Sequence, residues 1–487
     1  MTGKAVAGLV RRVAVLAAMA GVGAGVVVAD RARDSAPAVS TKPVLEAAPA
    51  FAMPRAEPVG APSSTWYCAA NGTGSDGAAD LTAIVANPGP GERRGTVTWM
   101  PDEGDAVAER FRVEGGGVTS LRAREALPAP AGSVSALVDV VGGGAVVEHA
   151  VADERGASVA PCASRASDRW YLPNGATTSD ARQSLALFNP FPDDAIVDIG
   201  IATPDGREAP PRLQGLPVAA GSTTVVEVGE EVRREAVTAT SVVARSGQLV
   251  VDRIQSFDGS RGRSGLALTL AAPAPSPVWT FPDGRKAEGH LERWHVSNPG
   301  EREALVALEV VPDDGAPPPP LEVTVAARGQ ATILAEDIPE LPEGSHTSTV
   351  RSLNDVNVVA ERELQSDLRT LTGWSSALGS PLGAKRWALA AGEVSDDVGE
   401  EVVVANPGPL PVDLSVTAFA DGRPQVLTES PRLVLGPADR ISLRLRDVVE
   451  GDAVGVVVAG DGPLVVERSL QEADGTGFSR AMGIPLS

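Results

Sequence analysis

Four near-copies of one strand-breaking junction, Asn-Pro, constrain this chain more than any other feature. They stand at Asn87-Pro88-Gly89, Asn189-Pro190, Asn298-Pro299-Gly300 and Asn406-Pro407-Gly408. A tryptophan precedes each, Trp66 by 21 residues and Trp170, Trp279 and Trp387 by 19. Roughly 60 residues after each junction comes a Val-Val strand with an acid and a base. These are Val146-Val147-Glu148-His149, Val250-Val251-Asp252-Arg253, Val358-Val359-Ala360-Glu361-Arg362 and Val465-Val466-Glu467-Arg468. Three landmarks recurring in one order and at one spacing define a repeat. The modules they predict are 65–166, 167–275, 276–383 and 384–487.

The second copy serves as template. Trp170-Tyr171-Leu172 opens a strand that stops at the turn cluster Pro173-Asn174-Gly175. Leu185 and Leu187 then alternate with small or polar neighbours up to Asn189. The same two positions hold Ala83 and Val85, Trp294 and Val296, and Val402 and Val404, so one face of this strand is buried in every copy. Asn-Pro breaks the strand, because proline has no N–H for the ladder and asparagine bonds its own following backbone. Strands are expected again at Val197–Ile201, Leu216–Val218, Thr223–Val228, Thr238–Val243, Leu249–Ile254 and Leu266–Leu270. Turns are expected at Pro204-Asp205-Gly206, Asp313-Asp314-Gly315 and Asp421-Gly422. Seven or eight short strands in about 105 residues have the texture of an Ig-like sandwich. The fold class is therefore all-β, four tandem Ig-like β-sandwich modules. A propeller with two blades per repeat is the alternative, weakened by the lack of any half-period copy.

Ahead of the modules, Lys4, Arg11 and Arg12 in a cytoplasmic segment, 1–12, precede an apolar run, 13–29, that ends at Asp30. Its length suits a short membrane helix, and the charges before it send the bulk of the chain outside. Val27-Val28-Ala29 also fits signal cleavage, which would make the protein secreted. Residues 30–64, rich in Ala, Pro and Ser, read as a disordered linker holding the modules off the bilayer. The net charge of −21 offers no basic face for nucleic acid. The two cysteines, Cys68 and Cys162, fall at the two ends of module 1. In an exported chain they are expected to pair, and closing a loop that long stabilises by about 4–5 kcal/mol in the chain-entropy model.

The landmarks are expected to serve the fold. Each tryptophan should pack on its module's core beside that module's base, His149, Arg253, Arg362 or Arg468. The alternative is a row of exposed indoles that stack on sugars. The acid–base pairs read as caps of a solvated hairpin face, or as arginines stacked on the tryptophans. Modules are expected to behave as beads with modest interfaces. The pattern Trp-Tyr, Leu-x-Leu-x-Asn-Pro and Val-Val-x-Glu-Arg resembles tandem modules of exported, membrane-anchored actinobacterial envelope proteins of unknown function. Trp170-Tyr171 and Val359-Ala360-Glu361-Arg362 carry it best, and Cys68 and Glu148-His149 depart from it. The resemblance implies location and fold and contributes no chemistry.

Catalytic signals are sparse. His290 and His295 flank Trp294 without a third ligand at metal spacing and read as strand-surface histidines. No nucleophile elbow, Walker loop or dinucleotide fingerprint occurs, so no cofactor or nucleotide is expected. The acidic clusters Asp102–Asp105, Asp313-Asp314 and Asp396–Glu401 read as solvated turns, the last with a loose calcium site as its alternative. The expected function is that of a non-catalytic protein of the cell membrane, single-pass with the bulk extracytoplasmic. It would hold, space or bind cell-wall glycan or envelope proteins. The alternative is a glycan-processing enzyme, or its substrate-binding subunit, with two carboxylates facing each other in a groove between modules.

Overall fold

The computed structural model describes residues 52–71, 81–128, 131–368, 371–420, 423–426, 433–475 and 477–487. The apolar run 13–29, most of the linker and the Asp421-Gly422 turn lie outside them. Among the described residues no helix is long and apolar enough to cross a membrane. The architecture is all-β, four tandem Ig-like sandwiches.

Module 1 shows the plan. Its strands are β1 (Ser63–Asn71), β2 (Thr82–Asn87), β3 (Arg93–Pro101), β4 (Val107–Val113), β5 (Gly117–Arg122), β6 (Ser133–Val141), β7 (Val146–Asp153) and β8 (Gly156–Pro161). They form two antiparallel sheets, β1-β6-β3-β4 and β5-β2-β7-β8. Modules 2 and 3 repeat both orders, with an added strand, Gln214–Val218, on the first sheet of module 2. In module 4 the equivalents of β6 and β7 run on as one 22-residue strand, Gly451–Glu472, that serves both sheets.

Each first strand bridges both sheets of its own sandwich. Tyr67, Tyr171 and Thr280 pair with Ala163, Ala272 and Ser380, just beyond the closing strand. In module 4 the same place is taken by Ala388 with Ile484. The indole of the neighbouring tryptophan fills the core behind this strand, and all four indoles are fully buried. Trp170, Trp279 and Trp387 donate Nε1–H to the carbonyls of Leu249 (2.8 Å), Val358 (2.7 Å) and Leu464 (2.9 Å). Those carbonyls lead into the Val-Val strand, so the tryptophan ties the start of the module to its end. Trp66 Nε1 has no partner among the described residues.

The Asn-Pro corners repeat down to single atoms. The Oδ1 of Asn87, Asn298 and Asn406 accepts the N–H of the glycine two residues on, and Asn189 accepts that of Phe191. Each Nδ2 donates across to the chain leaving the fourth strand, at Val113, Val218, Val325 or Leu435. A buried side-chain amide with its donors and acceptor satisfied replaces the ladder bonds that proline forgoes.

The modules are not beads, because Val44–Ser487 forms one compact unit. The closing strands Gly156–Pro161, Ser264–Leu270, Leu371–Leu378 and Phe478–Met482 pack on one another in a closed circuit, each touching two neighbours. Small residues permit this approach. Leu268 N–H donates to Ser158 Oγ (2.9 Å), Val159 N–H to Ser479 Oγ (3.1 Å) and Arg480 N–H to Ser375 Oγ (3.2 Å). Module 2 approaches module 3 at Gly265, where an added Cβ would lie 2.9 Å from the Trp374 carbonyl. Where these strands meet residues 52–54 they leave a half-open cavity of about 50 Å³.

Residues 52–62 correct the linker expectation, for they are held against the modules at several points, although Val59 stays exposed. Ala52 and Ala56 are buried, and Met53 packs against the cores of both modules 3 and 4. Ala56 N–H donates to the Pro485 carbonyl (3.0 Å), and Gly144 N–H donates to the Glu57 carbonyl (2.9 Å), so the segment joins the C-terminus to module 1. Composition concealed this, since the segment gains its order from surfaces that other modules supply.

Cores are shared as well. The cluster centred on module 1 takes in Ile254, Leu266 and Leu268 from module 2, and Ala388, Phe419 and Ile484 from module 4. Trp387→Ala is expected to cost about 3–5 kcal/mol, the range for emptying a large core site. With shared cores the loss should appear in calorimetry as one transition moved down. A separate early melt of module 4, with the others unmoved, would contradict this coupling.

Candidate functional site

The acid–base motif lies on β7 and its equivalents, whose sheet is covered on both faces. In module 2 the strand Val250–Asp258 is buried from Val250 to Phe257. Adjacent residues on a strand point to opposite faces, so the acid and base of one motif reach different neighbours. The base extends to the next module's acid, four times over, until the circuit closes.

His149 Nε2 lies 3.4 Å from Asp252 of module 2. Arg253 makes a two-pronged pair with Glu361 of module 3, at 2.5 and 3.1 Å. Arg362 reaches Glu467 of module 4 at 2.5 Å. Arg468 returns to Glu148 of module 1 at 2.9 Å. All eight side chains are fully buried. Each acid also accepts backbone N–H groups at the end of the preceding module's first strand. Ala69 donates to Asp252 (3.0 Å), Asn174 to Glu361 (3.2 Å), Asp283 to Glu467 (3.0 Å), and Ala390 and Ala391 to Glu148 (2.7 and 2.6 Å). The four interfaces are copies of one head-to-tail contact, and a fourth copy closes the circuit.

These positions correct the solvated-hairpin reading. The pairs are clasps between modules, and the ring beneath the Arg362 guanidinium is Phe281, 5.6 Å to its centroid, not Trp279. The strand-surface reading is corrected at His295, which is buried between Thr332 (3.1 Å) and Glu363 (3.0 Å); His346 likewise lies 2.9 Å from Glu292 with both residues buried. His290 alone of the four is partly exposed.

Electrostatics follow from this burial. Burial pushes the Asp252 carboxyl up, against the pull of His149. Burial also disfavours ionisation of Asp283, but Arg480, Arg362 and Arg440 outweigh it and hold the pKa near about 2. Glu363 likewise falls to about 2, with His295 and Arg293 overcoming the burial. Glu400 is the opposite case. It is fully buried, no side chain pairs with its carboxylate among the described residues, and burial raises its pKa to about 8. The solvated-turn reading of Asp396–Glu401 therefore fails at Glu400. Nor do the carboxylates of that loop cluster: among the described residues the one group of three potential His, Cys, Asp or Glu ligands is Cys68, His149 and Cys162. Its two sulfurs are joined in the expected Cys68–Cys162 disulfide.

Among the grooves at the module junctions, two gather mainly side chains of one charge. One, of about 460 Å³, runs between modules 1 and 4 and carries Glu393, Asp397, Glu472 and Asp474 with Arg122. The other, of about 280 Å³, lies between modules 2 and 3 and is lined by Arg169, Arg207 and Arg328. Neither was visible from the repeat, because each is built from residues that differ between copies. The acid half of the motif was visible, and its value lay in the absence of polar alternation around it.

A family model described as a family of unknown function (DUF5719) matches residues 141–426, more than half of the chain. The chain belongs to DUF5719. No curated protein matches this DUF5719 chain. Among solved structures it is similar to Thermotoga maritima 1070, with 17% identity over 22% of this chain and 94% of that one, at a TM-score of 0.20. It is similar to the Anabaena sensory rhodopsin transducer, with 23% identity over 18% and 80%, at 0.16. A tetra-tandem repeat in the extending region of a large adhesion protein matches at 15% identity over 87% and 99%, at 0.11. At such scores these likenesses carry no argument about function.

Arg362→Met is expected to destabilise this DUF5719 chain by about 3–5 kcal/mol, because it strands the Glu467 charge in the interior. Arg362→Met with Glu467→Leu should recover much of that loss in denaturant unfolding. Failure of the double variant to recover would mean the pair does more than neutralise itself. Glu400 gives a pH dependence. Its folded pKa is raised, so its contribution is fully present below the ordinary value of 4.5 and is lost as pH rises to about 8. Glu400→Gln, the residue that the equivalent Gln183 already supplies in module 2, should flatten stability between pH 5 and 8 and raise it at pH 8 by on the order of a few kcal/mol. Parallel stability–pH curves for the two proteins would refute this assignment.

Proposed function

We propose that this protein is a non-catalytic, membrane-tethered component of the cell envelope, its four sandwiches forming a rigid extracytoplasmic body that holds or binds wall glycan or other envelope proteins. The observation that carries the reading is the closed circuit of clasps. The motif side chains with the strongest chemistry, one imidazole, three guanidinia and four carboxylates, are buried against each other and hold modules together. The Cys68–Cys162 disulfide suits an oxidising compartment outside the cytoplasm. The basic residues before the apolar run 13–29 favour retention with the modules outside.

A second reading, a glycan-processing enzyme with its site between modules, is favoured by one observation. The groove between modules 1 and 4 carries Glu393, Asp397, Glu472 and Asp474, the residue type such chemistry uses.

Membrane fractionation with N-terminal sequencing tests the tether. The mature chain is expected in the membrane fraction with the apolar run intact, and a soluble protein starting at Asp30 would overturn the tether. Incubation of the full chain with wall glycans is expected to release no new reducing ends. Release that Glu393→Gln with Asp397→Asn abolishes would instead establish the second reading.

A further inference from the structure

The groove between modules 2 and 3 has the chemistry of an anion site. Its floor is the outward face of two paired strands, Ala195–Thr203 and Ala239–Ser246. On that face Gly200 stands opposite Ser241, and Ala202 opposite Ala239. The alternate residues Ile199, Ile201 and Val242 fill the core, and the outward side chains around Gly200 (Ala202, Ala239 and Ser241) are small, with Val243 beside them. A glycine inside a strand weakens it unless something must come close. Here something does: a Cβ on Gly200 would lie 2.8 Å from Nη2 of Arg207. Gly200 thus makes room for a guanidinium laid over the sheet.

Arg169 stands on the same face, beside Tyr171 at the module's opening strand. Across the groove, module 3 contributes Arg328, held at a left-handed φ of 56° and paired with Glu301, which lines the groove as well. Arg169 and Arg207 are exposed and have no carboxylate within ion-pair distance among the described residues. In a chain of net charge −21, two guanidinia with no ion-pair partner among the described residues, beside a third, stand out. Guanidinium forks match the paired oxygens of phosphates and carboxylates, and an open groove along a sheet face accommodates an extended chain.

We propose that this groove binds a glycan bearing phosphate or carboxylate groups, with Arg207 and Arg169 receiving its anionic oxygens and Arg328 bordering the site from module 3. The inference rests on the envelope reading for its ligand class and narrows wall glycan to the anionic kind.

The test titrates the full-length chain with three fluorescently labelled probes: a glycerol-phosphate oligomer, an oligogalacturonate and a neutral dextran oligomer. Binding of either anionic probe, weakening with salt, and no binding of dextran are expected. Arg169→Gln with Arg207→Gln should weaken that binding at least about tenfold, with an unchanged melting temperature because both side chains are exposed. Glu301→Gln, which frees Arg328, should tighten it. Preference between the two anionic probes identifies phosphate or carboxylate as the group recognised. Equal binding of dextran, no binding of either anionic probe, or full binding by the double variant would each overturn the proposal. Membrane fractionation reads the envelope assignment separately, so either can fail without the other.

Discussion

Everything in this molecule depends on a two-residue device, an acid next to a base on a strand buried on both faces. Strand geometry sends the two side chains to opposite sides, so one motif grips the module before it and the module after it. Isolated inside a protein either charge would be costly, and each is tolerated because the neighbour supplies its counterion and backbone donors. A module taken alone would bury half of two unfinished pairs. The folded state therefore favours the whole circuit, and the fourth interface, Arg468 with Glu148, is where chain order and spatial order meet.

The circuit is not uniform. Three interfaces use Arg with Glu, and the first uses the shorter His149 with Asp252. That interface lies beside the Cys68–Cys162 disulfide, with His149 Nδ1 3.4 Å from Cys162 Sγ and 3.1 Å from the Ala160 carbonyl. Module 1 has a covalent tie between its first strand and its end, where its tryptophan Nε1 lacks the carbonyl bond seen in the other three. The disulfide supplies there a connection that hydrogen bonding supplies elsewhere.

This contrast explains how far the sequence could be read. Local features were legible. The Asn-Pro corner is a self-contained turn, the tryptophan marks each module's first strand, and alternation before Asn189 marks one buried face. What lies between modules was misread, because an acid–base dipeptide in a strand looks like an alternation of core and solvent. Nothing local says that the second face meets another protein surface. The available signal was the unbroken Val-Val preceding each motif, since runs without polar alternation belong to strands covered on both sides. Residues 52–62 escaped for the same reason: Ala52, Met53 and Ala56 gain order from modules 1, 3 and 4, none adjacent in sequence to their packing partners except module 1.

Divergence among the copies points to where function can reside. At the sixth position before each Asn-Pro asparagine stand Leu81, Gln183, Glu292 and Glu400. Gln183 accepts a hydrogen bond from Thr238, Glu292 pairs with His346, and Glu400 has neither kind of partner among the described residues. A position that only filled space would have settled on one residue type four times, as the tryptophan and the asparagine did. Each junction has instead been adjusted separately behind an unchanged clasp. The shared residues hold the circuit, while the unshared ones adjust the packing behind each clasp.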